Sequence, residues 1–104
     1  AVENLEEILS VPGIDMIQWG PGDYSVSIGK AGRRTDPEIK AAERKVIEAA
    51  IRLGIPPRAE IVKPEDAQYY LDLGVRHFNL NVELWILLQW WTDNGKALRE
   101  KLPK

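Results

Sequence analysis

An α/β fold with parallel strands is predicted by three features of the sequence. Strand-length apolar runs alternate with amphipathic helical stretches along the 104 residues. The two inner helical stretches are opened by proline, in Asp36-Pro37-Glu38 and Lys63-Pro64-Glu65, and closed by glycine, Gly54 and Gly74. The first strand candidate, Ile14 to Gly20, is largely apolar, as suits a parallel strand covered on both faces. Helix, then three strand–helix units, is the order read from these signals, in one domain spanning 1–104. Alternation of this kind implies parallel strands joined by crossovers. Pattern alone leaves flavodoxin-like, Rossmann-like and barrel arrangements open.

Each element has its own signal. Leu5, Ile8 and Leu9 follow i, i+3, i+4 spacing among glutamates, and Pro12-Gly13 ends that short helix. Gly20-Pro21-Gly22-Asp23 breaks the first strand, and a glycine-containing loop is expected as far as Thr35. Asp36 is then read as the N-cap acceptor of a helix whose apolar stripe is Ile39, Ala42, Val46, Ala49, Ala50 and Leu53. Pro57 to Val62 is the second strand, followed by a helix from Lys63-Pro64-Glu65 through Leu73. Val75 to Leu80 is the third strand. A last helix runs from about Val82 toward Leu98, with Asn94-Gly95 as a point of interruption.

Composition narrows the function classes. A formal charge of -2 and the lack of a basic stripe argue against nucleic acid as partner. The longest unbroken apolar run, Leu84 to Leu88, is far too short to span a membrane. With no cysteine, disulfides, thiolate metal sites and cysteine nucleophiles are excluded, and a cytoplasmic location is expected. Gly20-Pro21-Gly22-Asp23-Tyr24-Ser25 lacks the third glycine of a dinucleotide fingerprint, and there is no P-loop lysine.

Ligands in parallel α/β folds sit at the carboxyl ends of the strands, which singles out three places. After strand one, Asp23 is either the cap of a tight turn or an oxygen ligand for a hard divalent cation. On strand two, period-two geometry puts Arg58, Glu60 and Val62 on one face. They form either an internal ion pair or a polar lining near a substrate. On strand three, His77, Asn79 and Asn81 share a face and are expected to oppose that row. His77 reads as a hydrogen-bonded structural residue. The last helix, with Leu84, Trp85, Ile86, Leu87, Leu88, Trp90 and Trp91, is apolar around more than one face. A subunit interface is expected there, since tryptophan is enriched at such contacts.

Ala1-Val2-Glu3-Asn4-Leu5-Glu6-Glu7-Ile8, Val11-Pro12-Gly13-Ile14-Asp15 and Gly20-Pro21-Gly22-Asp23-Tyr24-Ser25 together resemble one continuous stretch of the HpcH/HpaI aldolase and citrate lyase family. The likeness continues through Asp36-Pro37-Glu38, Pro64-Glu65-Asp66-Ala67 and Tyr70-Leu71-Asp72-Leu73-Gly74. The resemblance implies the C-terminal segment, about three strand–helix units, of a (β/α)8 barrel. It also implies metal-dependent cleavage of 4-hydroxy-2-oxo acids to pyruvate and an aldehyde, with magnesium, manganese or cobalt as Lewis acid. The carboxylate of the family's "GPADLS" is a metal ligand and falls on Asp23. The amides of Gly22 and Asp23 are expected to hold the carboxylate of the 2-oxo acid, and Glu60 is expected near it. The family's second metal-binding glutamate and its catalytic arginine and histidine fall upstream, so no catalytic residue is expected within this chain. A whole barrel takes about 250 residues, so these three units are expected to be inactive alone. The alternative is a non-catalytic scaffold or oligomerisation module of the same ancestry. Two segments depart from the family pattern: Arg58-Ala59-Glu60 stands where a Gly-Ile-Leu-like run is usual, and Asn81-Val82-Glu83 where a "GSD"-like turn is usual. The resemblance also implies that the last helix packs against a neighbouring subunit.

Overall fold

The computed structural model describes all 104 residues. In chain order the elements are α1 (Leu5–Leu9), β1 (Ile17–Gln18), α2 (Pro21–Ser27), α3 (Pro37–Arg52), β2 (Pro57–Ile61), a 3-10 turn (Pro64–Asp66) leading into α4 (Ala67–Asp72), β3 (His77–Leu80) and α5 (Glu83–Lys101). The three strands form one sheet in the order β1-β2-β3, and both pairings are parallel.

The core lies between the sheet and α3. Ile39, Ala42, Val46, Ala49 and Ala50 recur at helical spacing and pack with Leu5, Leu9 and Trp19. Ile47, on the adjoining side of α3, packs with Ala59 of β2 and Val75, and Tyr70, Leu73 and Phe78 close that second cluster. Strand β2 alternates as its period demands: Pro57, Ala59 and Ile61 are buried, while Arg58 is exposed and Glu60 half-buried.

Helices α3 and α4 end by the same device. Ile55 N–H reaches the Ala50 carbonyl (2.9 Å) and Gly54 N–H the Ile51 carbonyl (3.0 Å), while Val75 and Gly74 repeat the pattern on Tyr70 and Leu71. Both glycines are left-handed, with φ of 76° and 95°. Gly74 has a second constraint, since a Cβ there would lie 3.0 Å from Ile51 Cδ1.

Four expectations are corrected. Strand one is only Ile17–Gln18, because the residues from Ile14 find no ladder partner before Ile17 N–H meets the Pro56 carbonyl (3.1 Å). The stretch expected as loop after Gly20 begins with α2, which Pro21 starts at its first position and Asp23 supports as a first-turn acid. Asp36 occupies the N-cap of α3, but its carboxylate makes no cap hydrogen bond. It pairs instead with Arg33 (3.2 Å) and Lys30 (3.8 Å). Asn94-Gly95 does not interrupt α5, whose nineteen residues run through it.

Helix α5 has no buried residue. It stands apart from the packed body, and the molecule measures 63 × 30 × 24 Å. No helix is long and apolar enough to cross a membrane.

Candidate active-site mouth

Asp23 sits in the first turn of α2, immediately beyond the carboxyl end of β1. The first helical bond of α2 runs from Tyr24 N–H to the Gly20 carbonyl (3.0 Å). The amides of Gly22 and Asp23 precede it and have no helical acceptor. The Asp23 carboxylate folds back over Gly20, with Oδ2 only 3.0 Å from where a Gly20 Cβ would stand. Glycine at 20 therefore leaves room for that rotamer. The only backbone amides that donate to side chains are those of Lys63 and Val82, so the Asp23 carboxylate caps none, and it is exposed. Below it, Ser25 is fully buried, and its Oγ donates to the Gly22 carbonyl (2.7 Å), tightening the turn.

Asp23 borders a cavity of about 650 Å³ with Gln18, Trp19, Gly20, Tyr24 and the α1 residues Leu5 and Leu9. Trp19 packs on Tyr24 at 4.9 Å between ring centroids. Its buried indole Nε1 has no hydrogen-bond partner. Glu60 lies in a separate recess of about 470 Å³ with Arg34, Lys40, Glu43 and Tyr70. The structure thus brings Gly22 and Asp23 together and leaves Glu60 across the Trp19–Pro21 wall, which borders a narrow crevice shared with Glu60.

Arg58 and Glu60 do not pair with each other. Arg58 Nε donates to Gln18 Oε1 (2.7 Å), and Glu60 is met by Arg34 at 3.7 Å. The polar row expected across strands two and three is present in the register, which aligns Arg58 with His77 and Glu60 with Asn79. Asn81 follows β3 in the left-handed region, with φ of 60°. Its side-chain oxygen accepts the Val82 N–H (2.8 Å), a local bond that makes asparagine tolerable where glycine is the default.

One polar network was not expected from the sequence. Glu43 is 2% exposed on the core side of α3. It accepts from Lys40 Nζ (2.6 Å) and from the Tyr70 hydroxyl (2.9 Å). Burial, reinforced by the Glu43 charge, pushes the Tyr70 phenol up to about 12. Burial is the largest single influence on the Lys40 ammonium and works to lower it, but the hydrogen bond and charge of Glu43, with the Tyr70 hydroxyl, together leave that group raised. The signal was present: Glu43 falls four residues after Ile39, on the apolar stripe.

The chain groups no three histidine, cysteine, aspartate or glutamate side chains that could hold a metal ion. Asp23 is a single carboxylate at the strand exit, so these residues alone do not make a complete divalent-cation site.

The profile of the HpcH/HpaI aldolase/citrate lyase family matches residues 1–85. A 4-hydroxy-2-oxo-heptane-1,7-dioate aldolase of Shigella sonnei is 34% identical over 87 residues, which are 84% of this chain and 33% of that protein. A hydroxypyruvate/pyruvate aldolase of Delftia acidovorans is 31% identical over 88 residues, 85% of this chain and 33% of that protein. The crystal structure of an HpcH/HpaI aldolase from Desulfitobacterium hafniense superposes with a TM-score of 0.82 at 27% identity, covering 99% of this chain and 40% of that one. The chain therefore spans about a third of the length of the curated relatives it matches. Its three parallel strands and their helices are a segment of a (β/α)8 barrel. With the family profile over most of its residues and the barrel segment in its structure, the chain belongs to the HpcH/HpaI aldolase/citrate lyase family.

Proposed function

We propose that this chain, as a single partial-barrel domain, forms one side of the mouth of an aldolase that cleaves 4-hydroxy-2-oxo acids to pyruvate and an aldehyde. The observation that carries the reading is the Asp23 carboxylate, which accepts from no backbone amide, beside the unpaired amides of Gly22 and Asp23 at the exit of β1. Those amides suit the carboxylate of a 2-oxo acid, because preorganised backbone donors hold an anion without reorganising. Glu60 is proposed on the substrate side of the neighbouring recess, its charge balanced by Arg34. Asp23 is proposed as one ligand to magnesium, manganese or cobalt, the remaining ligands coming from outside these residues. Catalytic residues are likewise proposed to lie outside, so the chain alone is expected to show no turnover.

Thermal unfolding with manganese and oxamate, a mimic of the pyruvate enolate, tests this. A ligand that binds only the folded chain stabilises it by about 2.7 kcal/mol at a hundredfold excess over Kd. Stabilisation that disappears in Asp23→Ala supports the site. No change in either protein favours a second reading, a non-catalytic scaffold, whose support is the lack of a grouped ligand set.

As partner for α5 we propose a second copy of the chain. Its acidic start at Glu83 and basic last turn at Arg99 and Lys101 suit antiparallel packing of two such helices. Size-exclusion chromatography of the chain and of Trp90→Lys is the test. A dimer reduced to monomer by the substitution supports it, and a monomer in both refutes it.

A further inference from the structure

The sheet face turned away from α3 carries polar side chains that the proposed chemistry leaves unused. Gln18, Arg58 and His77 are register partners across β1, β2 and β3, so they leave the sheet on the same face. Ala59, the next residue along, is 4% exposed on the opposite face, among Ile47 and Val75. In a (β/α)8 barrel the face away from the helices is the lumen, where layers of valine, isoleucine and leucine are the rule. Here one layer reads amide, guanidinium, imidazole.

The guanidinium is held but not neutralised. Gln18 Oε1 accepts its Nε at 2.7 Å, which fixes the plane of the group. None of the chain's ion pairs includes Arg58, and Glu60, two residues further along β2, is met by Arg34. The remaining guanidinium donors, in their rigid fork, have no acceptor, and the imidazole of His77 in the adjacent strand offers another donor. A cation enclosed by a barrel without a counterion is costly. Arg58 and His77 lie one layer, about 7 Å, below Glu60 and Asn79, and Gln18 links them to the cavity that Asp23 borders.

We infer that the Gln18–Arg58–His77 row is an anion subsite, taking a carboxylate or phosphate group carried by a substrate. The inference rests on the proposed aldolase reading only in making this face the lumen. Gln18 orients, Arg58 binds in bidentate fashion, and His77 donates from the neighbouring strand.

The single histidine makes the test direct, because its imidazole protons form a unique pair of NMR signals. The chain is titrated with succinate and, separately, with inorganic phosphate, each against chloride at equal ionic strength. A saturable shift of the His77 signals is expected with at least one of the two and not with chloride. A response to succinate alone assigns a carboxylate, and one to phosphate alone a phosphate. Arg58→Gln should weaken the response by about tenfold or more. Arg58→Lys should restore part of it, and Gln18→Ala, which keeps the charge but frees the fork, should fall between. Circular dichroism of each variant establishes that it is folded, and Gln18→Ala serves if Arg58→Gln is not. Asp23→Ala should leave the response intact, so failure at the mouth and failure of this subsite are separable. A wild-type response that does not saturate, that chloride reproduces, or that survives in a folded Arg58→Gln overturns the inference.

Discussion

Helices α3 and α5 are the two long helices of the chain, and they meet opposite fates. Seven of the sixteen residues of α3 are buried, while none of the nineteen of α5 is. The difference is one of arrangement more than of apolar content. Apolar residues of α3 recur at three- and four-residue steps, so one stripe meets α1 and the sheet. In α5 five consecutive residues, Leu84 to Leu88, are large and apolar, and Trp90 and Trp91 follow. Such a run spreads around the first half of the helix instead of forming one stripe that the sheet could cover. Helix α3 is a completed packing unit within this chain, whereas the apolar surface of α5 is left uncovered by the rest of it.

The largest effect that can break this contrast is a matched pair of truncations. Ile39→Ala removes a side chain that is 0% exposed, and should cost about 2–5 kcal/mol in urea denaturation. Leu87→Ala, in dilute chain, should change stability by no more than about 0.5 kcal/mol, because that side chain is already 56% exposed. Equal costs would show that α5 folds back onto the body.

A smaller effect sharpens the account of the packed side. Tyr70→Phe removes the hydroxyl bound to Glu43 and should cost about 1 kcal/mol near neutral pH. The cost should depend on alkaline pH. The unfolded phenol ionises near pH 10, whereas the folded one is pushed up to about 12. The unfolded chain therefore releases the proton first, so the contribution of Tyr70 is whole below about pH 10 and is lost as pH rises through about 12. Denaturant melts of wild type and Tyr70→Phe should converge across that window. A constant gap would mean that the phenol is not buried against Glu43 in the folded chain.

The smallest effect concerns the mouth. Gly20→Ala should change stability little, since Gly20 has φ of -108°, which any residue adopts. The added methyl group meets Asp23 Oδ2 at 3.0 Å, however, and should turn that carboxylate away from the strand exit. Any stabilisation by manganese and oxamate should then fall while the unfolding midpoint without ligand stays within about 0.5 kcal/mol of wild type.

The order of elements could be read from the sequence because its punctuation is local. Pro37 and Pro64 open helices, and Gly54 and Gly74 close them through a left-handed residue that only glycine adopts cheaply. The sharing of one face by Arg58 and Glu60 followed from strand period, and the placement of Asp23 at a strand exit from residue order. What escaped was set by competing or distant partners. Two glycines around Pro21 mask the helix-start signal of Pro21 and Asp23, so local sequence there points to a loop where α2 forms. The side chain of Asp36 was claimed by Arg33 and Lys30 instead of the helix amides. The links from Glu43 to Tyr70 and from Arg58 to Gln18 join residues 27 and 40 positions apart, and no local pattern reports such distances.

The most direct measurement is the broadening of backbone amide NMR signals by manganese in the presence of oxamate. The proposed mouth requires selective broadening at Gly20, Gly22, Asp23 and Tyr24, abolished by Asp23→Ala. Broadening spread over the acidic surface of α1 and the end of α4, and unchanged by that substitution, would contradict it.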